Sequence, residues 1–176
     1  MKTGIIVIVV LVLLGMFGCG KYNGLVTKDE NVKNKWGVVQ SSYQRSDDLI
    51  PNLVATVKGA ANFETETLEK VIQARASATQ IKVDASDLSP EKIQQYQAAQ
   101  GQLSQALGRL LAVSESYPDL KANANFQNLQ AQLEGTENRI NVARNDFNEA
   151  VNGYNSSVRA FPTNIVAGIA GFKQKG

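Results

Sequence analysis

From Phe126 to Phe161, apolar and small side chains return at alternating steps of three and four: Phe126, Leu129, Leu133, Thr136, Ile140, Ala143, Phe147, Ala150, Tyr154, Ser157 and Phe161. That spacing keeps them in one stripe along a helix, while the positions between are mostly Gln, Asn, Glu, Arg or Asp and belong to a solvated face. A one-striped helix needs partners laid along it. The chain supplies them. A second seam runs through Tyr22, Leu25, Asp29, Val32, Trp36, Val39, Tyr43, Ser46, Ile50, Leu53, Val57 and Ala60. A third runs through Ile93, Tyr96, Gln100, Leu103, Leu107, Leu110, Ser114 and Tyr117, and a shorter helix, about 64–82, has Leu68, Val71, Ile72, Ala78 and Ile81 to bury. The pattern predicts an all-α fold, an antiparallel four-helix bundle with long helices.

Local signals set the predicted boundaries. Pro51 lies inside the first seam, where it lacks an amide hydrogen and crowds the carbonyl of Asp47, so a kink or short break is expected between Asp48 and Asn52. Gly59 ends that helix and Asn62 is placed to cap the next, whose first turn carries Glu64 and Glu66. After a polar stretch from Val83 to Leu88, Ser89 and Pro90 start the third helix with Glu91 in its first turn, and Pro118 ends it. Asn123 or Asn125 caps the final helix and Pro162 terminates it. Gly135, in mid-helix, is expected where another helix approaches closely, near the proline kink.

An apolar run from Gly4 to Gly20 precedes all of this, flanked by Lys2 and Lys21. It suits a membrane, and three chemistries compete: a cleaved signal peptide, a lipoprotein signal with lipid on Cys19, and a retained transmembrane helix. The favoured reading is retention, since continuing to Val26 with Lys21 snorkelling gives a spanning length with Cys19 inside it. Lysines on both sides leave the orientation open. The chain thus divides into an anchor (1–21), a bundle (22–162) and an apolar, basic tail (163–176). Adding helix lengths up and down the bundle returns Phe161 close to the membrane surface, so the tail, with Ile165, Val166, Ile169, Ala170 and Phe172 ahead of Lys173 and Lys175, is expected to contact lipid headgroups, the alternatives being that it packs on the base of the bundle or stays mobile.

Composition removes several function classes. The 18 basic and 16 acidic residues interleave to a net charge of +2 without a basic run, which sets nucleic acid aside. With no histidine and a single cysteine, a Ser-His pair, a Cys-His nucleophile and the usual zinc or iron ligand sets are unavailable, and no cofactor motif is present. The carboxylates, Asp47 and Asp48 among them, are read as helix-surface groups. Arg45 and Asp48 facing Glu134, Glu137, Arg139 and Arg144 are read as an inter-helix ion and hydrogen-bond network that fixes register, with Asn52, Asn138 and Asn155 in the same class. No residue is assigned to catalysis or to a metal.

Several motifs go further. Tyr22-Asn23-Gly24-Leu25-Val26, the run from Gln44 to Val54 with Thr56-Val57-Lys58-Gly59, Ala74-Arg75, Leu133 to Ile140 with Val142-Ala143-Arg144, Tyr154-Asn155 and Arg159 to Pro162 together resemble the LemA family of bacterial membrane proteins. The departures are Ser46 for a second arginine, Ala60 for tyrosine and Phe147 for tyrosine. The resemblance implies a membrane-anchored helical bundle and assigns no activity. The expectation is a non-enzymatic interaction or scaffold protein of the envelope, with the membrane and an unidentified protein as partners; the alternatives are a lipoprotein anchored through Cys19 and a bundle that binds a small molecule.

Overall fold

A computed structural model describes residues 2–60 and 63–176, apart from the side chains of residues 2, 3 and 14. The expected cap at Asn62 lies outside the described residues. Among the described residues six helices follow one another: α1 (Lys2–Lys58), α2 (Thr65–Gln80), α3 (Pro90–Ser114), α4 (Pro118–Lys121), α5 (Ala124–Arg159) and α6 (Thr163–Ala170). The chain is all-helical, with no strand among the described residues. It forms two compact units, one of Met1–Lys35 with Asp146–Lys175, the other of Trp36–Asn145 with Gly176.

In the second unit the four long helices share one core. Ile50, Leu53, Val54 and Val57 of α1 pack with Leu68, Val71 and Ala78 of α2, Ala99, Leu103, Leu107 and Leu110 of α3, and Phe126, Leu129 and Leu133 of α5. These are the seam positions, and burying them is what makes each one-striped helix stable. Leu120 of the short α4 joins the same core, and the Phe63 ring meets that of Tyr117 with centroids 4.8 Å apart. Asn123 caps α5, its Oδ1 accepting from the amides of Asn125 (2.9 Å) and Phe126 (3.2 Å).

Several expectations change or narrow. Of the kink or short break expected at Pro51, the break is absent: helix α1 runs through the proline. Proline deprives the Asp47 carbonyl of its usual helical donor, and Arg75 of α2 replaces that donor, its Nε lying 3.1 Å from the oxygen. Ile72 is exposed, so α2 buries a narrower stripe. The segment after α2 begins and ends on buried apolar residues, Val83 and Leu88, and the Val83 carbonyl accepts from Trp36 Nε1 (3.1 Å) and Gln40 Nε2 (2.9 Å). The polar middle of that stretch, Asp84, Ser86 and Asp87, is exposed as expected, while its two ends are anchored on the core. A Cβ built on Gly135 meets nothing within 4 Å, so close helix approach does not account for this exposed glycine.

In the first unit α1 and α5 lie antiparallel. Lys35 pairs with Asp146 at 2.7 Å, and Lys28 donates to the Gly153 carbonyl at 3.3 Å. Leu25 and Val32 are buried with Phe147, Val151 and Tyr154. The seam ends at Tyr154, since Phe161 is 80% exposed rather than buried. Beyond Pro162 the chain turns into α6, closed by Gly171 in the left-handed conformation (φ 78°) that glycine adopts without Cβ strain. The residues after α6 return along the unit. Tyr154 donates to the Lys173 carbonyl (2.9 Å), Asn155 brackets Lys175 through both of its amide groups (2.7 and 2.9 Å), and the Lys175 ammonium pairs with Asp29 at 2.7 Å.

Candidate functional site

The most chemically unusual group is Asp47. It falls one turn after Tyr43 and one before Pro51 on α1, on the flank of the seam that faces α2 and α3. Only 4% of the residue is exposed, and its Oδ1 is buried without a hydrogen-bond partner. Burial pushes its carboxyl up to about 6, opposed by the charge of Arg75 and reinforced by Asp48. It lines a cleft of about 140 Å³ with Gln40 and Gln44 of α1, Thr79 and Lys82 on the α2 side, and Tyr96 and Gln100 of α3.

An aromatic wall backs this cleft. The Tyr96 ring stands edge-on to Trp36 (5.1 Å, 69°) and to Tyr43 (5.5 Å, 77°), and all three are buried. Burial raises the Tyr96 hydroxyl above its ordinary range, and the neighbouring Tyr43 and Asp47 push it the same way. Burial also raises Tyr43, against the pull of Arg144 beside it. Both phenols are therefore neutral donors at physiological pH. The cleft offers an anionic acceptor at Asp47, a buried amide at Gln100 and the hydroxyls of Thr79 and Tyr96. It can hold a proton or a small hydrogen-bond donor.

The six residues read as a network are placed as follows. Arg45 and Asp48 of α1 and Arg139 of α5 share an open cleft of about 430 Å³ with Ser41, Ser42, Gln44 and Thr136. Glu134 and Glu137 are exposed on α5, and Arg144 is half-buried next to Tyr43 with its Nε unpaired. None of the six forms an ion pair with another among the described residues. Asp48 instead accepts from Gln44 (2.8 Å) and Glu134 from Gln130 (3.1 Å), each on its own helix. Asn52 and Asn138 are exposed, while Asn155 ties down the tail. Cys19 is exposed within the apolar part of α1.

Two features escaped the sequence reading. Asp47 looked like one of a surface pair, and only its helical spacing from Tyr43 hinted at burial. Asp29, a polar interruption of the first seam, accepts two ammonium groups, Lys33 at 2.8 Å and Lys175 at 2.7 Å. Burial alone would raise its carboxyl, but these two lysines outweigh it and hold it below the ordinary range.

Comparison with known proteins bears on the same residues. A family model described as LemA family matches residues 35–176. Protein LemA of Metamycoplasma hominis is 27% identical over 121 residues, 69% of this chain and 52% of that protein. Magnetosome protein MamQ 2 of Paramagnetospirillum magneticum is 28% identical over 175 aligned residues, 88% of this chain and 63% of that protein. Magnetosome protein MamQ of Magnetospirillum gryphiswaldense is 27% identical over the same span. The chain therefore covers between 52% and 63% of the length of these relatives. The matched region contains Pro51, Arg75 and the Leu133–Ile140 motif, so the helix-through-proline arrangement and the polar face of α5 both lie inside it, and this chain belongs to the LemA family.

Proposed function

We propose that this chain is a single-pass membrane protein whose antiparallel four-helix bundle acts as a non-enzymatic scaffold of the bacterial envelope, engaging a protein partner. One observation carries the reading. On α1 the apolar residues Ile5–Leu13, Met16 and Phe17 are all exposed, and from Leu25 onward the same helix presents buried side chains to its neighbours. An apolar surface of this size does not stay in water, and the helix is long and apolar enough to cross a membrane. Two relatives are named for a cellular structure rather than for a reaction, which supports a structural role. Maleimide accessibility of cysteines introduced at exposed bundle positions, measured in intact cells alongside the mass of the mature N-terminus, tests the proposal. A full-length mass with one-sided accessibility supports it. A mass beginning at a lipid-modified Cys19 replaces the spanning helix with a lipid tether, and a mature chain released without either removes the anchor altogether.

The Asp47 cleft favours a second reading, a bundle that binds a small hydrogen-bond donor. Its buried, unpartnered Oδ1 is the observation behind it. Chemical-shift changes at Gln100 on titration with methylammonium, lost in Asp47→Asn, are its test.

A further inference from the structure

The antiparallel pairing of α1 with α5 fixes the level of the tail. Lys35 meets Asp146, and seven residues earlier on α1 Lys28 meets Gly153, seven residues later on α5. The same register, carried on, sets Arg159 beside Tyr22 and Phe161 level with Gly20, at the end of the exposed apolar run of α1. After α6 the chain is back at nearly that level, because the Phe172 ring lies 5.7 Å from that of Tyr22. Helix α6 has eight residues, about 12 Å of rise, yet begins and ends within a turn of the same height on α1. It therefore lies across the end of the unit instead of extending it.

Its two faces differ. Ala167 is buried against the unit. On the opposite side Ile165 and Ile169, one turn apart, are 54% and 85% exposed, and Phe161, in the turn ahead of the helix, is 80% exposed. Exposed Lys173 follows, and Lys21 stands over the Phe17 ring on α1 (5.2 Å). The tail is not loose, since Tyr154, Asn155 and Asp29 hold the residues beyond α6. A crosswise helix with an outward apolar stripe and nearby lysines, set where the anchor leaves the bilayer, has the form of an interfacial helix.

We infer that α6 and the turn ahead of it form a second membrane contact, with Ile165, Ile169 and Phe161 entering the headgroup–acyl boundary of the bilayer that α1 crosses. The inference rests on reading α1 as the anchor. Its occupant is the bilayer because the stripe is continuous in level with the apolar surface of α1. Docking there fixes this unit at two points and restricts its rotation about the anchor.

The test uses the full chain in phosphatidylcholine vesicles containing a minority of phosphatidylglycerol, with Cys19→Ala and one new cysteine carrying an environment-sensitive fluorophore at Phe17, Ile169 or Asn148. The first reports the anchor, the second the outer face of α6, and the third an exposed position higher on α5. With a quencher carried on the upper acyl chain, the Ile169 label is expected to be quenched about threefold or more beyond the Asn148 label. If Phe17 is quenched and Ile169 behaves like Asn148, the anchor stands and the docking of α6 is overturned. If Phe17 is not quenched, the anchor reading falls and takes this inference with it. Cross-linking of two copies through the Ile169 position, without lipid quenching, overturns it in favour of a second copy.

Discussion

Replacing Arg75 with methionine keeps most of the stem packing and removes the donor that completes α1 around Pro51. The hydrogen bond is charge-assisted, and losing it leaves the Asp47 carbonyl without a donor at a position where the helix cannot supply one. Such bonds contribute about 1.5–3 kcal/mol, so a loss of about 2 kcal/mol is expected. For a chain of this size that lowers Tm by about 4–8 °C. The Asp47 carboxylate also feels Arg75, so the measurement belongs at pH 5, below the value of about 6 to which burial pushes Asp47, where the acid is mostly neutral. The informative comparison is a double-mutant cycle with Pro51→Ala. Alanine restores the backbone donor four residues on from Asp47, and Arg75→Met should then cost only about 0.5 kcal/mol, giving a coupling of about 1.5 kcal/mol. Urea unfolding of the chain from residue 22, followed by circular dichroism, reads each corner of the cycle. Equal losses in both backgrounds would refute the idea that Arg75 stands in for the amide that proline lacks.

Other substitutions test neighbouring parts of the reasoning. Asp47 has a raised folded-state value, so the folded chain binds its proton more tightly than the unfolded chain and stability should rise as pH falls from about 6 to the ordinary aspartate value of 3.8. Asp47→Asn should accordingly stabilise near pH 7.5 by up to about 3 kcal/mol, with the advantage gone by pH 4, as read from paired denaturant curves. Gly135→Ala, on an open helical face, should stabilise by about 0.5–1 kcal/mol; a loss would mean the glycine is held by a contact after all. Arg45→Ala and Glu137→Ala, both exposed and outside any ion pair with the network, should shift stability by less than about 0.5 kcal/mol. The chain from residue 22 should be soluble and mainly helical, since its seams pair with one another, and strand content by circular dichroism would contradict that.

The sequence was most legible where one physical rule acts alone. Alternating three-four spacing put Ile93, Tyr96, Gln100, Leu103, Leu107, Leu110 and Ser114 on one face of α3, and all are buried. It did so because helical periodicity alone decides which side chains share a stripe. The Asn123 cap, the start of α3 at Ser89-Pro90, where the serine side chain makes no capping bond, and the exposed apolar run were equally local, needing only a few adjacent residues. The Pro51 expectation was sound about the helix itself: the Asp47 carbonyl does lose its donor. What the sequence did not show is the replacement donor, Arg75, separated along the chain and brought close by the packing of α2.

The same distinction applies to the charged groups. Arg45, Asp48, Glu134, Glu137, Arg139 and Arg144 looked like a network because opposite charges recur along facing seams, but side-chain pairing depends on rotamer and exposure, and at the surface glutamines on the same helix compete successfully. Asp47 and Asp48 are adjacent and chemically identical, yet a 100° step on a helix puts one in a cleft and the other in solvent. The tail shows the limit most clearly. Its apolar residues were visible in sequence, but whether Ile165 and Ile169 faced the bundle or away from it was fixed by Tyr154, Asn155 and Asp29, which bind the returning chain and leave Ala167 as the inward side. Periodicity determines which residues lie together on a helix; only tertiary packing determines what that face meets.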